Sequence, residues 1–332
     1  MFKNINCKNL PSLRRNIVYQ FLYELLIVFI PLFTIPYVSR VLGAENIGLF
    51  SYTYAVANYF VLFANLGIKN YGSRTIAMVR NNKEELNRNF SEILSIHIIF
   101  SIIVIFVYLV LLFFFVEDNL VIFLIQSIYV FAAVFDINWF FFGIEKFKLT
   151  VGRNTLVKIL SVFLVLVFVK TQTDLWIYAL ILALSVFVGQ SVVWFALKQY
   201  VSWRRPSWAN MKQHIRPLFV LFLPILALSL YKYMDKIMLG SISSNVQVGF
   251  YENAEKIINV PMSLIMAFGV VLMPRIANMV TSKDKGEVFK LIDMSMEAVM
   301  LLAIAISFGL AGISFVLAPI FFGYEFEECG IL

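Results

Sequence analysis

Long apolar runs are the feature that most limits what this chain of 332 residues can fold into. The stretch from Ile96 to Val116, for example, contains no Asp, Glu, Lys or Arg. A helix needs about 20 such residues to cross a hydrocarbon core roughly 30 Å thick. Barrel strands instead alternate polar and apolar residues, so continuous runs favour helices. About nine windows of the required length can be placed, at 17–38, 47–68, 92–115, 120–143, 154–170, 175–197, 217–239, 247–273 and 291–322.

Composition agrees with this interpretation, because 61% hydrophobic and only 14% charged residues leave too little polar surface for a soluble protein of this length. We therefore predict an all-α, polytopic transmembrane helix bundle. Residues 1–200 are expected to form a first lobe of about six helices, and 201–216 a basic cytoplasmic linker. Residues 217–332 are expected to form about three helices of an incomplete second lobe.

The distribution of lysine and arginine among the short loops predicts the orientation. Nearly all of them lie before the first span and after the second, fourth, sixth and eighth predicted spans, whereas the alternate loops offer only Arg40 and Lys170. The N-terminus is therefore predicted to be cytoplasmic. Anionic lipid on that side accounts for the net charge of +7, so we expect no nucleic-acid partner.

Two segments of the chain resemble each other. SRVLGAENIGLFSYTYA (39–55), followed by SRTIA (73–77), corresponds to DKIMLGSISSNVQVGFYENAEK (235–256), followed by PRIA (274–277). Gly48 matches Gly249, and Arg74 matches Arg275 at the same separation. Because an even number of spans separates the copies, the repeat is predicted to be parallel, with its axis along the membrane normal. Two lobes that face each other across a central cavity are the simplest packing.

Motifs of enzyme chemistry are absent from the sequence, which contains no GxxxxGK[ST], HExxH or GxSxG. We predict that the chain is not an enzyme and needs neither a cofactor nor a metal. Its two histidines are not expected to act chemically. His97 is expected to be a satisfied structural residue, and His214, in a basic loop, to be solvated.

Several patches carry a family resemblance. PYVSRVLGAENIGLFSY, DINWFFFGIEKFK with RNTLVKIL after it, and YKYMDKIMLGSISSNVQVGFYENAEKI with VLMPRIA occur in this order along the chain. They resemble the Wzx-type flippases for lipid-linked O-antigen or capsule repeat units, within the multidrug/oligosaccharidyl-lipid/polysaccharide exporter superfamily. The resemblance implies alternating access that carries polyprenyl-diphosphate-linked oligosaccharide from the cytoplasmic to the outer leaflet of the bacterial cell membrane.

The same resemblance also implies which partners the protein has and whether the chain is complete. Its expected partners are the lipid-linked oligosaccharide, membrane lipids, a polysaccharide polymerase and glycosyltransferases. Members of the family are expected to have two six-helix lobes, so this chain is expected to be a C-terminally truncated frame. On that basis we expect that these residues alone do not transport.

Charged residues within the apolar stretches are the candidate site, because each costs about 2.5–3.5 kcal/mol to insert and needs compensation. A diphosphate requires a cationic cavity, and the candidate cations are Arg40, Lys158, Lys232, Lys236 and Lys256. The candidate groups for coupling to an ion gradient are the acids Asp235, Glu255, Glu24 and Asp136, in that order, although each could instead be a salt-bridge partner.

Spacing along single helices predicts some local pairs. Lys232 and Asp235 are three apart and share a helix face, and Glu252 and Lys256 are four apart in the favourable order. This leaves Glu255 as the unpaired acid. For Lys232 and Lys256, pairing and substrate contact remain equally open. Lys236, adjacent to Asp235, is expected to point away from it unless it pairs with an acid on another helix. A functional role is favoured for Lys236, because nothing in its own turn neutralises it.

A polar stripe on the second predicted span is the candidate sugar contact. Ser51, Asn58 and Asn65 recur every seven residues, with Tyr54 on the same side. Hydrogen bonding between helices and anchoring at the interface are the favoured alternative roles for this stripe.

Two other functions compete with the flippase. An ion-coupled multidrug or cation exporter of the same superfamily would be expected to have an acidic cavity. A membrane-embedded glycan polymerase would be expected to have a large outer loop with paired arginines, and the outer loops predicted here are short.

Overall fold

The computed structural model describes residues 10–281 and 285–332, excluding the side chains of 10–32, 147–148, 264, 266–275, 277–281 and 285–287. The described chain is 88% helical and contains no strand, so the predicted all-α polytopic helix bundle is confirmed. Its ten α-helices are α1 (Leu10–Asn65), α2 (Ile68–Val79), α3 (Lys83–Phe115), α4 (Leu120–Val134), α5 (Asn138–Gly143), α6 (Phe147–Phe168), α7 (Leu175–Leu197), α8 (Trp208–Ile242), α9 (Asn245–Thr281) and α10 (Lys285–Phe322). Short 3₁₀ helices cover Gln172–Asp174 and Tyr324–Gly330.

Gly43 interrupts α1 where the sequence predicts the boundary between the first two spans. Its backbone lies at φ 78° and ψ 171°, a conformation that residues with a Cβ rarely adopt. A Cβ at Gly43 would also lie 2.9 Å from a carboxylate oxygen of Glu325. The helix therefore consists of two rods, which correspond to the predicted spans 17–38 and 47–68.

Seven helical segments among the described residues are long and apolar enough to cross a membrane, judged by length and composition. One of these seven segments, Phe33–Val79, contains the end of the first rod of α1, its second rod and α2, and α9 is not among the seven. The described first half of α9 carries Glu252, Glu255 and Lys256, which lower its mean hydropathy. The chain is thus a multi-pass membrane protein, and the count of about nine spans stays a prediction.

The two glycines that the sequence repeat pairs meet where α1 crosses α9. A Cβ on Gly48 would lie 1.6 Å from the carbonyl oxygen of Asn245, and one on Gly249 would lie 2.1 Å from that of Ala44. Each glycine thus faces the backbone four residues before the other glycine. Such reciprocal contact is what a two-fold axis between the repeat copies would produce. Glycine allows the two backbones to approach this closely.

The segment between α7 and α8 is hydrogen-bonded to the start of α3. The amide of Ser202 donates to Asn87 Oδ1 at 3.0 Å, and that of Arg204 donates to Ser91 Oγ at 2.9 Å. The Arg204 guanidinium also pairs with Glu84 at 3.0 Å. Of the predicted linker 201–216, only 201–207 is non-helical, because α8 begins at Trp208.

The start of α3 shows why this helix begins where it does. Asn82 Oδ1 accepts hydrogen bonds from the amides of Glu84 at 3.1 Å and Glu85 at 3.3 Å. These two bonds satisfy amides that have no partner within the helix. The two acidic residues in the first turn also complement the positive end of the helix dipole.

Candidate functional site

A tight turn at 243–244 brings charged residues of α8 and α9 together. The amide of Ser243 donates to the carbonyl of Leu239, which closes α8, and Ser244 Oγ accepts from the amide of Gln247 at the start of α9. The two helices are therefore antiparallel neighbours. Residues at similar distances from the turn, such as Lys236 and Glu252, can face each other across the pair.

Four of these residues form a continuous ion-pair network. Lys236 Nζ lies 2.5 Å from Glu252 Oε2 and 2.7 Å from Glu255 Oε2. The other oxygen of Glu252, Oε1, lies 3.0 Å from Lys256 Nζ. Lys236 is buried, with 8% of its surface exposed. Two lysines and two glutamates thus neutralise each other inside the bundle, as the cost of burying charge requires.

The network confirms one predicted pair, corrects the expectation for Glu255 and decides between the alternatives for Lys236. Glu252 and Lys256 pair as their spacing predicts. The prediction that Glu255 lacks a partner is wrong, because Lys236 reaches it from α8. Lys236 thus pairs with acids of another helix, the alternative that its spacing leaves open. Spacing along one helix could not show either contact, because both depend on the register between two helices.

Of the two alternatives left open for Lys232, pairing with Asp235 is not found among the described residues. Asp235 Oδ2 instead accepts a hydrogen bond from the hydroxyl of Tyr251 at 2.7 Å. The exposed Lys232 ammonium lies 5.4 Å from the centroid of the Tyr233 ring, a cation–π distance. Among the described residues, Lys232 forms no ion pair and so stays a candidate for contact with an anion.

Lys256 lies where two cavities of different character meet. One, of about 280 Å³, also has Thr34, Ser39 and Tyr178 in its walls. The other, of about 580 Å³, is lined almost entirely by apolar side chains of α9 and α10, among them Ile257 and Leu310. A charged group thus marks the boundary between a partly polar space and an apolar one.

The other candidate cations, Arg40 and Lys158, and the candidate acid Asp136 lie away from the network. The guanidinium of Arg40 donates to the carbonyl of Ile320, near the end of α10, at 2.6 Å. Lys158 is half-buried on α6. Asp136 Oδ1 accepts from the amide of Asn138 at 3.0 Å and from its side chain at 2.7 Å, which stabilises the start of α5. The side chain of Glu24 lies outside the described residues.

The polar stripe on the second rod of α1 is mostly engaged locally. The side-chain amides of Asn58 and Asn65 donate to carbonyls of their own helix, at 2.9 Å and 3.0 Å. Ser51 is buried, and the ring of Tyr54 packs edge-on against that of Tyr129 with centroids 5.1 Å apart. Any sugar contact by this stripe stays a prediction.

The expectations that His214 is solvated and that His97 has its hydrogen bonds satisfied are both wrong. His214 is only 3% exposed, and its Nε2 lies 2.9 Å from Glu92 Oε2 while its Nδ1 lies 2.6 Å from the Tyr71 hydroxyl. The prediction failed because α8 starts before His214 and carries it against α2 and α3. His97 is fully buried, yet neither of its ring nitrogens has a hydrogen-bond partner among the described residues.

Comparison with known proteins connects this architecture to a family. Over 285 residues, 84% of this chain and 68% of the relative, the sequence is 27% identical to a protein of Escherichia coli (strain K12) named "Putative O-antigen transporter". It is 24% identical over 333 aligned positions to a Shigella dysenteriae protein of the same name, covering 96% of this chain and 80% of that one. No solved structure matches. The family model described as "Polysaccharide biosynthesis protein" matches residues 13–280, and the chain belongs to that family.

Proposed function

We propose that this protein is a transporter that flips polyprenyl-diphosphate-linked oligosaccharide repeat units from the cytoplasmic to the outer leaflet of a bacterial cell membrane. The matched family and the names of the two relatives support export of a surface polysaccharide and a transporter rather than an enzyme. The predicted lobes, 1–200 and 217–332, would alternate around a cavity between them. The N-terminus would lie in the cytoplasm, as the loop charges predict.

The position of Lys256 is the observation that carries this proposal. The substrate combines a charged diphosphate, a hydroxylated glycan and a hydrocarbon tail. A lysine between a partly polar cavity and an apolar one suits the diphosphate, which joins the polar glycan of such a molecule to its hydrocarbon tail. The diphosphate would bind the ammonium, and the tail would remain against the apolar side chains of α9 and α10.

The neutral network supports binding by exchange of partners. Lys236 and Lys256 are already paired, so an arriving diphosphate must compete with Glu252 and Glu255. Glu255 is the more exposed acid, at 28% of its side chain against 15% for Glu252. We infer that the substrate displaces Glu255 from Lys236, and that Glu255 then takes up a proton or a cation. Glu255 thus becomes a stronger coupling candidate than Asp235, which is bonded to Tyr251.

Binding by the purified protein in nanodiscs tests the proposal, with a fluorescent polyprenyl-diphosphate oligosaccharide as the probe. Lys256→Met should weaken binding by about tenfold or more, because a charge-assisted contact to phosphate is lost. Lys256→Arg, which keeps the charge, should retain most of it. Lys198→Met, an exposed lysine outside the network, is the matched control.

Flipping in proteoliposomes is measured alongside binding. Flipping that disappears with Lys256 supports the whole proposal. Binding without flipping supports the substrate site alone. Binding that is unchanged in Lys256→Met, or selective binding of cationic dyes, would instead favour the cation exporter.

A further inference from the structure

A second cationic cavity lies away from the ion-pair network, among α2, the start of α3 and the first half of α8. We call it the α2–α8 cavity. It has a volume of about 590 Å³, and its walls include Tyr71, Arg74, Arg88, His214 and Val220. The predicted span of α8 begins at Pro217, which also lines this cavity. The predicted orientation therefore places it at the cytoplasmic boundary of the membrane.

The two arginines of this cavity are available to an anion. Among the described residues, no carboxylate forms an ion pair with Arg74 or Arg88, although Arg80 and Arg204 nearby in the sequence and fold are both paired. Both arginines are exposed, so a ligand can reach them. A guanidinium offers several N–H donors in a planar arrangement that matches phosphate oxygens.

A set of hydrogen-bonded polar residues lies beside this cavity. Tyr71, His214 and Glu92 are joined by hydrogen bonds of 2.6 Å and 2.9 Å, and His214 and Glu92 are almost completely buried. Glu92 is not among the residues that line the cavity, and His214 lies between it and Tyr71. The acid is therefore offset by its own partner and leaves the cationic character of the cavity intact.

An apolar wall distinguishes this cavity from a site for a free ion. Met78 and Val220 line it with 69% and 59% of their surfaces exposed, and Leu221 and Pro217 continue the same wall. A free phosphate would gain nothing from these side chains. A phosphate that carries a hydrocarbon tail would bury them, which is favourable.

We propose that the α2–α8 cavity binds the phosphate group of a membrane lipid, with Arg74 and Arg88 as its ligands and the α8 wall against the start of the tail. This inference stands apart from the proposed function, because it concerns a different cavity and its test involves no transport. The binding of the lipid would hold α2 and α3 against α8 at the junction of the two predicted lobes.

Native mass spectrometry of the purified protein tests this site, with phosphatidic acid, a polyprenyl phosphate and phosphatidylcholine as separate probes. We expect retention of the two lipids that end in a phosphate monoester over phosphatidylcholine. The double variant Arg74→Gln/Arg88→Gln should retain them about tenfold less or worse, since both charge-assisted contacts are lost. Lys69→Gln/Arg205→Gln removes the same total charge from exposed positions outside the cavity and should stay within about twofold of the wild type.

Three results would overturn the inference: equal loss in both double variants, unchanged retention in Arg74→Gln/Arg88→Gln, or displacement of the lipid by an equal concentration of inorganic phosphate. The last result would identify a site for the free ion. Similar retention of both phosphate lipids supports recognition of the headgroup alone. Preference for the polyprenyl phosphate supports the same site with an added contribution from the tail.

Discussion

At the scale of single residues, Glu252 joins the two lysines of the network. Its two carboxylate oxygens contact different lysines, Lys236 on α8 and Lys256 on its own helix. Glu255 contacts only one of them, Lys236. We therefore expect Glu252 to contribute more to stability than Glu255, even though the two acids lie three positions apart on the same helix.

Substituting each acid in turn tests this difference. Glu252→Gln should lower the free energy of unfolding by about 3 kcal/mol, because Lys256 loses its acidic partner and Lys236 loses one of two. Glu255→Gln should cost about 1 kcal/mol, since Lys236 keeps Glu252. Unfolding in mixed detergent, followed by circular dichroism, measures both. Equal costs for the two substitutions would contradict the bridging role of Glu252.

The buried Tyr71–His214–Glu92 network offers a second test at this scale. His214→Phe should cost about 3 kcal/mol, because it leaves the Glu92 carboxylate buried without its partner. The double variant Glu92→Leu/His214→Phe should recover much of that loss, since both polar groups are then replaced by apolar ones. Thermal unfolding of the two single variants and the double variant provides a double-mutant cycle. Simple additivity would show that the two residues do not act as a pair.

At the scale of helices, the crossing of α1 and α9 is a close backbone contact between the repeat copies. The sequence anticipated the glycines at this crossing, because an internal repeat preserves the residues that its packing requires. It did not anticipate that they would face each other. Correspondence within a repeat defines which positions are equivalent and leaves open which of them touch.

Adding a methyl group at the crossing tests its importance. A Cβ at Gly48 would meet a backbone oxygen at 1.6 Å, so Gly48→Ala must push α1 and α9 apart. We expect a loss of about 1–3 kcal/mol of stability, as in other overpacked sites. A Cβ at Gly152, on α6, would meet no atom within 4 Å, so Gly152→Ala should be neutral or slightly stabilising. Thermal unfolding compares the two variants. Similar melting temperatures would contradict the close backbone contact at the crossing.

Prediction from the sequence succeeded for helices and failed for contacts between them. Long apolar runs are sufficient to predict helices, because a membrane leaves the backbone few alternatives. The break at Gly43 agrees with a boundary placed between two such runs. Partners across helices, such as Lys236 with Glu255 or His214 with Glu92, depend on how α8 is rotated and shifted against its neighbours. No periodicity within one helix contains that information.

At the scale of the whole molecule, our account describes a membrane protein in which charged groups are kept neutral until a substrate arrives. The ion-pair network lies between α8 and α9, and α9 also crosses the second rod of α1. A change in the network would therefore act directly on the contact between the repeat copies. In the proposed mechanism, this contact would link substrate binding to movement of the lobes, which alternating access requires.

The most direct test of the central claim is binding of a polyprenyl-diphosphate oligosaccharide to a variant that stays electrically balanced. Lys236→Met/Glu255→Gln removes one cation and one acid and keeps the Glu252–Lys256 pair. Our account predicts that fluorescence titration in nanodiscs shows binding by the wild type and a loss of about tenfold or more in this variant. Equal affinity in the two proteins, or binding of cationic dyes in place of the diphosphate lipid by the wild type, would contradict it.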